Sequence, residues 1–182
     1  MLATLGNFSN AGKLTVGPLS GFGTSSSYTQ TAGLTTVDGV FSAPTGMNIQ
    51  AGLLSGKGMI KSTVHSSGSV TPGDTVTNTG KLSIAGTYTQ NATGALNISI
   101  GGLTVSTKYE QLAVTNGASL NGTLNIKLIH SFVPAGSIFT ILTASAITGK
   151  FATVNGLSIN SGEHFTIQYG PTTVTLTVVS GA

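Results

Sequence analysis

A chain of 182 residues suits one domain. Charged residues make up only 6% of it, against the ~25% usual in soluble domains. The net charge of +3 rests on seven scattered lysines with no arginine, so no continuous positive stripe exists to track nucleic-acid phosphates. The absence of cysteine excludes a disulfide framework and a thiolate metal site. An apolar content of 39%, regularly placed, is enough to offset chain entropy and argues against disorder. The abundant Thr, Ser, Gly, Val and Asn are poor helix formers, so strands are expected throughout. No run approaches the ~20 apolar residues of a membrane helix. The start, MLATLGNFSN, lacks a basic and an apolar region, so it is no signal peptide. It already reads as part of a structural repeat, which makes the chain an expected mature or excised segment.

Residues 1–40 hold GKLTV (Gly12–Val16), then YTQ, then GLTTVDG (Gly33–Gly39). Leu14 and Val16 share one face while Lys13 and Thr15 take the other, the period-two signature of a half-buried strand. Residues 41–77 predict short strands at Met47–Ile49, Gly52–Leu54, Met59–Ile60 and Gly68–Val70, with Pro72-Gly73 expected as a type II turn. Glycines at 12, 33, 52, 68, 80 and 94 punctuate these runs as corner markers. From Asn78 to Gly102, Leu82 and Ile84 face inward, followed by Leu96, Ile98 and Ile100. Leu112 and Val114 supply the next run. Then come Leu120, Leu124, Ile126 and Leu128, with Asn125 and Lys127 outward. Residues 131–182 are denser in apolar side chains. There Phe165, Ile167 and Tyr169 precede a Gly170-Pro171 turn, and Val174, Leu176 and Val178 follow it, as in a hairpin.

Self-similarity decides among the all-β arrangements. NAGKLTVG leads to SYTQTAGLTTV, and NTGKLSIAG leads to TYTQNATGALNISIGG, so that Tyr28 and Tyr88 occupy the same YTQ triplet. Asn-Gly and Asp-Gly pairs (Asp38-Gly39, Asn116-Gly117, Asn121-Gly122, Asn155-Gly156) would suit the hairpins of a sandwich. The repeated cassette instead suits a parallel β-helix that stacks Leu on Ile and Asn on Asn. At about 20 residues per rung and about 4.8 Å between rungs, the chain would form about nine rungs in a column of about 40 Å. The expected architecture is an all-β, right-handed parallel β-helix (β-solenoid), with rungs over residues 1–130 and capping rungs of the same domain, hairpin-like, over 131–182.

The order of the motifs carries a family resemblance. GSVTPGDTVTNTGKLSIAGTYTQNATGALNISIGG, then KYEQLAVTNGASLNGTLNIKLIHSFVPAGSIFTILTASAITGKFATV, resembles the C-terminal part of autotransporter-type passenger domains. The likeness covers residues ~60–180 closely and 6–50 more loosely. It implies a β-helix exported to the cell surface of a bacterium, with a C-terminal part that acts as a folding cap. Tyr109, Glu110 and Leu112 match the family's Tyr-acid-x-Leu block, with Glu where Asp is commoner. The translocating membrane barrel of such proteins is not in this sequence.

Chemistry-bearing residues are sparse. The acids Asp38, Asp74, Glu110 and Glu163 are placed in turns or at strand ends, so an acid/base pair would require two of them to converge by folding. His65, His130 and His164 lack metal-ligand spacing. No Gly-x-Ser-x-Gly elbow occurs. The segment from Gly52 to Gly58, GLLSGKG, is rejected as a phosphate loop because it is one residue short, lacks Ser or Thr at its end and opens no helix. Asn-x-Ser/Thr triplets at Asn7, Asn91, Asn97 and Asn121 come cheaply in this composition. No catalytic, cofactor-binding or metal residue is assigned. The expectation is a non-enzymatic extracellular structural or adhesive module, a stalk or surface scaffold, whose outward Thr, Ser and Asn contact glycans or host surfaces. The alternatives are a self-assembling fibre subunit joined end to end and a polysaccharide-active enzyme.

Overall fold

The computed structural model describes residues 2–4, 6–75 and 78–181. Every element is a strand. Seven successive rungs each give one strand to each of three sheets. The first rung is β1 (Leu2–Thr4), β2 (Phe8–Asn10) and β3 (Lys13–Val16), and the second is β4 (Gly21–Thr24), β5 (Ser27–Gln30) and β6 (Leu34–Val37). The third is β7 (Val40–Ser42), β8 (Gly46–Ile49) and β9 (Leu53–Gly56). The fourth is β10 (Met59–Lys61), β11 (Val64–Ser66) and β12 (Ser69–Thr75), after which β13 (Asn78–Thr79) folds back on β12. The fifth is β14 (Lys81–Ile84), β15 (Tyr88–Gln90) and β16 (Ala95–Ile100), and the sixth is β17 (Gln111–Val114), β18 (Gly117–Leu120) and β19 (Thr123–Leu128). The seventh is β20 (Ile138–Thr143), β21 (Ala146–Gly149) and β22 (Thr153–Asn155), followed by a hairpin of β23 (Glu163–Tyr169) and β24 (Thr173–Ser180).

The first sheet runs β1-β4-β7-β10-β14-β17-β20-β24-β23, the second β2-β5-β8-β11-β15-β18-β21, and the third β3-β6-β9-β12-β16-β19-β22. Equivalent strands of neighbouring rungs pair in parallel. Among the described residues the antiparallel pairs are β12 with β13, β20 with β24, and β23 with β24. The fold is therefore all-β and solenoid-like, with seven rungs and a hairpin rather than nine rungs. The reason is rung length. The register steps 19 residues from Tyr28 to Met47 but 30 from Tyr88 to Ala118.

Alternation builds the core: Leu82, Ile84, Leu96, Ile100, Leu112 and Leu124 are fully buried, and burial of each such side chain is worth about 1.5–3 kcal/mol. The ends of the column are aromatic. Phe8, Phe22, Phe41 and Tyr28 pack together in the first three rungs. At the other end Phe139 meets Tyr109 and Phe165, and Tyr169 of the hairpin meets Phe151.

The glycine markers acquire a position. Gly12, Gly33, Gly52, Gly68 and Gly94 all lie at the corner between the second and third sheets, whereas Gly80 lies between the third and first. A Cβ on Gly52 would sit 2.3 Å from the Gly33 carbonyl oxygen, and its φ of +77° is in the left-handed region. That closeness lets the Gly33 oxygen accept from Leu53 N, as Gly52 does from Ser69 N and Gly94 from Thr123 N, each at 2.9 Å. Pro72-Gly73 is not a turn. Both residues extend β12 through a bulge against Gly56, and β13 then pairs antiparallel with β12; residues 76–77 lie outside the described set. Met1 and Ala182 lie outside it too.

The two YTQ triplets share one register column, Tyr28–Met47–Val64–Tyr88. The glutamines that follow them do the same work. Gln30 Nε2 reaches the carbonyls of Gly33, Ala51 and Leu53 at 3.0–3.3 Å, and Gln90 Nε2 those of Gly94, Asn121 and Thr123 at 2.7–3.2 Å. Each glutamine thus staples its own corner to that of the next rung. The GKL halves of the cassette are not equivalent, since KLTV lies in the third sheet and KLSI in the first. Gln90 Oε1 accepts from the Tyr88 hydroxyl at 3.0 Å, whereas Gln30 Oε1 has no partner among the described residues. Gln90→Ala is therefore expected to cost roughly 2–4 kcal/mol in equilibrium urea unfolding, and Gln30→Ala clearly less. Equal losses would show that the shared staple, not its completion by tyrosine, carries the effect.

Candidate functional site

Two surfaces stand out, and both come from the third sheet. Its outward face carries a continuous column of small polar side chains. Thr15 pairs in register with Thr36, Thr36 with Ser55, and Ser55 with Thr71. The column continues through Asn97, Asn125 and Asn155, and the side chains bond along it. Thr36 and Ser55 hydroxyls lie 3.1 Å apart, and Asn97 Nδ2 donates to Thr71 Oγ1 at 3.1 Å. Asn125 Nδ2 donates to Asn97 Oδ1 at 2.9 Å, and Asn155 Nδ2 to Asn125 Oδ1 at 2.8 Å. Each asparagine spends one amide N–H on its neighbour and keeps one for solvent or a ligand. The same face holds a groove of about 660 Å3, lined by Leu53, Ser69, Thr71, Asn97, Ser99 and Lys127. Its polar groups are neutral apart from that one lysine, so it suits a hydroxyl- or amide-bearing ligand, with Lys127 open to a single anionic group.

The second surface is the corner between the third and first sheets. The other two corners take two to four residues per rung, but this one admits segments as long as 101–110 and 129–137. All four acids lie along it: Asp38 and Glu110 in its connections, Asp74 near the end of β12, and Glu163 where β23 begins. Two of them converge, which the sequence alone did not place. Lys57 Nζ donates to Asp74 Oδ2 at 2.8 Å, Asn78 Nδ2 donates to the same oxygen at 2.7 Å, and Lys57 N donates to Asp38 Oδ1 at 3.2 Å. Partial burial and the neighbouring Asp74 push the Asp38 carboxyl up. Burial also works against ionisation of Asp74, but hydrogen bonding with Asp38 and Lys57 outweighs it and holds that carboxyl low. The pair has the split affinities of an acid and a base, yet Asp74 is already engaged by a cation and an amide.

Glu110 is different. It is fully buried, with Oε2 accepting from Ser99 N at 2.8 Å and Oε1 without a partner among the described residues. Burial pushes its carboxyl up to about 8, although the Ser99 bond opposes the shift. A signal for this was present in the sequence, because Glu110 shares the parity of Leu112 and Val114 and so points inward with them.

The remaining candidates are dispersed. His65 is outward on the second sheet, His130 is in a corner segment and His164 is in β23. Among the described residues no three of His, Asp or Glu gather in a way that would hold a metal ion. Asn7 accepts from Ser27 Oγ at 2.9 Å, Asn91 donates to Ser67 Oγ at 2.8 Å, and Asn121 accepts from Gly122 N at 2.8 Å, while Asn97 belongs to the ladder. The Gly52–Gly58 stretch contains strand β9 and no helix. In comparison with known proteins, no family model matches the chain and no curated protein matches it.

Glu110 gives this corner a pH dependence. The folded chain holds a proton up to about pH 8 that the unfolded chain releases near 4.5, so stability falls as pH rises between those values and is flat above. The full loss is on the order of 5 kcal/mol as an upper bound. Glu110→Gln keeps the acceptor for Ser99 N and removes the charge. It is expected to abolish the slope and to raise the melting temperature at pH 8, as read by circular dichroism. An unchanged slope would mean that Glu110 ionises freely in the folded chain.

Proposed function

We propose that the protein is a non-enzymatic surface scaffold that adheres through the outward face of its third sheet. In this reading it is a right-handed parallel β-helix of the autotransporter passenger type, extracellular. The β23–β24 hairpin serves as the folding cap. The observation that carries the adhesive part is the ladder from Thr15 to Asn155, whose three asparagines each keep one amide N–H unspent at the rung spacing, beside a groove whose one charged group is Lys127. Such repetition suits a polymer that itself repeats, a glycan on another cell or matrix, because weak contacts add along its length. The engagement of Asp74 by Lys57 and Asn78 supports the non-enzymatic reading.

A second reading is a fibre subunit joined end to end. It is favoured by β1, β2 and β3, each of which pairs on one side alone among the described residues and offers an open edge.

The adhesive reading is tested on immobilised neutral and acidic polysaccharides. The chain is expected to bind a neutral polymer in a concentration-dependent way. Asn97→Ala combined with Asn125→Ala should weaken binding at least about tenfold in avidity without changing the circular dichroism spectrum. Binding that survives both substitutions would remove the ladder from the site. Release of reducing sugar ends would overturn the non-enzymatic reading, and regular filaments under the electron microscope would favour the fibre.

A further inference from the structure

The groove of the third sheet lies where that sheet parts, and one proline makes the parting. Ser69 N donates to Gly52 O on the β9 side, so by alternation Val70 and Pro72 turn their backbone nitrogens toward β16. Pro72 has no N–H to give. Among the described residues β12 accordingly pairs with β16 at Ser69–Ala95 and Val70–Leu96 alone, while β16 stays paired with β19 from Ala95 to Ile100. Beyond Leu96 side chains take over. Asn97 Nδ2 reaches across to Thr71 Oγ1, and Ser99 N donates to the Glu110 carboxyl instead of to a strand. Thr71, Asn97 and Ser99 line the groove at this parting, and Lys127 stands in register with Ser99 on the next strand. The volume of about 660 Å3 falls within the ~300–1,000 Å3 of small-ligand sites.

Lys127 is the single charge in this lining, and its ammonium makes no ion pair or hydrogen bond among the described residues. No other group nearby answers it. Of the other charged residues in the strands of this sheet, Lys13 lies five rungs away, about 24 Å, and Asp74 is engaged by Lys57 and Asn78. The connections that follow β16 and β19 hold Lys108 and His130, which add no negative charge. They also hold Glu110, which is buried and keeps its proton at neutral pH. Asn125 and Lys127 share the outward face of β19 two residues apart, which is about 6.6 Å. A single pyranose ring spans that separation, from a hydroxyl or acetamido group at one side to a carboxylate at the other. We infer, resting on the adhesive reading above, that the groove selects a sugar unit with one anionic group, a uronic acid whose carboxylate pairs with Lys127. The other units of the polymer are neutral and lie along Asn125 and Asn97.

The same geometry limits how much charge is useful. The rung spacing of about 4.8 Å is close to the advance of one unit in an extended sugar chain, so a unit on Asn125 and Lys127 is followed by one on Asn97 and Ser99. That second position has no cation, and a second anionic group there would lose water without gaining a partner. A polymer that alternates charged and neutral units therefore fits better than one charged on every unit. An ion pair this exposed is weak. Lys127 accordingly decides which polymer is preferred, while the asparagines supply the grip that both kinds share.

The test compares immobilised hyaluronan, which alternates a uronic acid with a neutral acetamido sugar, with its carboxyl-reduced form and with heparin, which is far more densely charged. The native chain is expected to bind hyaluronan about threefold more tightly than the reduced polymer, the size of effect that one exposed ion pair gives. Salt at about 1 M, where the Debye length is only ~3 Å, should erase the difference. Lys127→Gln is expected to lower hyaluronan binding to the level of the reduced polymer and to leave the latter unchanged. Lys127→Arg should keep the preference. Lys61→Gln, which removes the same charge from an exposed position on the first sheet, should keep it too. Equal binding of both polymers, unaltered by Lys127→Gln, would overturn this choice of ligand and leave the adhesive reading standing. Tightest binding to heparin, weakened equally by Lys61→Gln and Lys127→Gln, would overturn it as well and point to net charge alone. Binding of neither hyaluronan nor its reduced form would overturn the two together. Lys127 is exposed, and an unchanged circular dichroism melt of each variant separates these outcomes from misfolding.

Discussion

The structure depends on the hydrogen bond that a glycine carbonyl makes at the corner between the second and third sheets. Gly33 accepts from Leu53 N, Gly52 from Ser69 N and Gly94 from Thr123 N, so each rung is fixed to the next at the same point of its circuit. Only a residue without Cβ lets one corner settle onto another this closely, as the 2.3 Å approach at Gly52 shows. Once the corner is pinned, the strand that follows is in register by necessity. Side chains of equal position then form columns, inward for Leu96 on Val70 and outward for Asn125 on Asn97. The glutamines Gln30 and Gln90 reinforce the pin from inside by binding carbonyls of two successive corners.

A column pinned at one corner and tight at the next can vary in length at the third. The connections between the third and first sheets take up that variation, from two residues at 38–39 to ten at 101–110. The chemistry follows the same geometry. Acids, exposed apolar side chains and left-handed non-glycine residues collect where the backbone is not dictated by stacking, while the outward column of the third sheet carries small neutral groups at the rung spacing. Glu110 marks the boundary between the two regimes. It belongs to the inward parity of β17, yet it sits under the segment that it closes, and burial without a second hydrogen bond keeps its proton on.

Much of the fold was legible in the sequence because period-two alternation reports directly on burial. Leu82 and Ile84, or Leu112 and Val114, can face one way only. The corner glycines Gly33 and Gly52 were legible too, since a position that needs both positive φ and no side chain has one residue available. Gly80 misled because it serves a different corner, against Lys57 and Gly73, where the same residue type answers a different crowding. Pro72-Gly73 misled for a related reason: a dipeptide that suits a turn also suits a bulged strand end, and only the partner strand β9 decides between them. The Asn ladder was foreseeable as stacking, but its members were fixed by register. The convergence of Asp38 with Asp74 left no trace in spacing, because the distance between corners along the chain changes from rung to rung.

The sequence by itself determined that the chain is all strand, that its core is built from alternating aliphatics, and that no ready-made catalytic or metal motif is present. Those follow from local rules, in which a side chain's fate depends on its parity and its neighbours. Tertiary structure alone decided the number of rungs, the sheet on which each strand falls, and which outward groups line up into a ladder or an edge. Those depend on how many residues each corner consumes, and that number is set by what packs under the corner rather than by the residues within it.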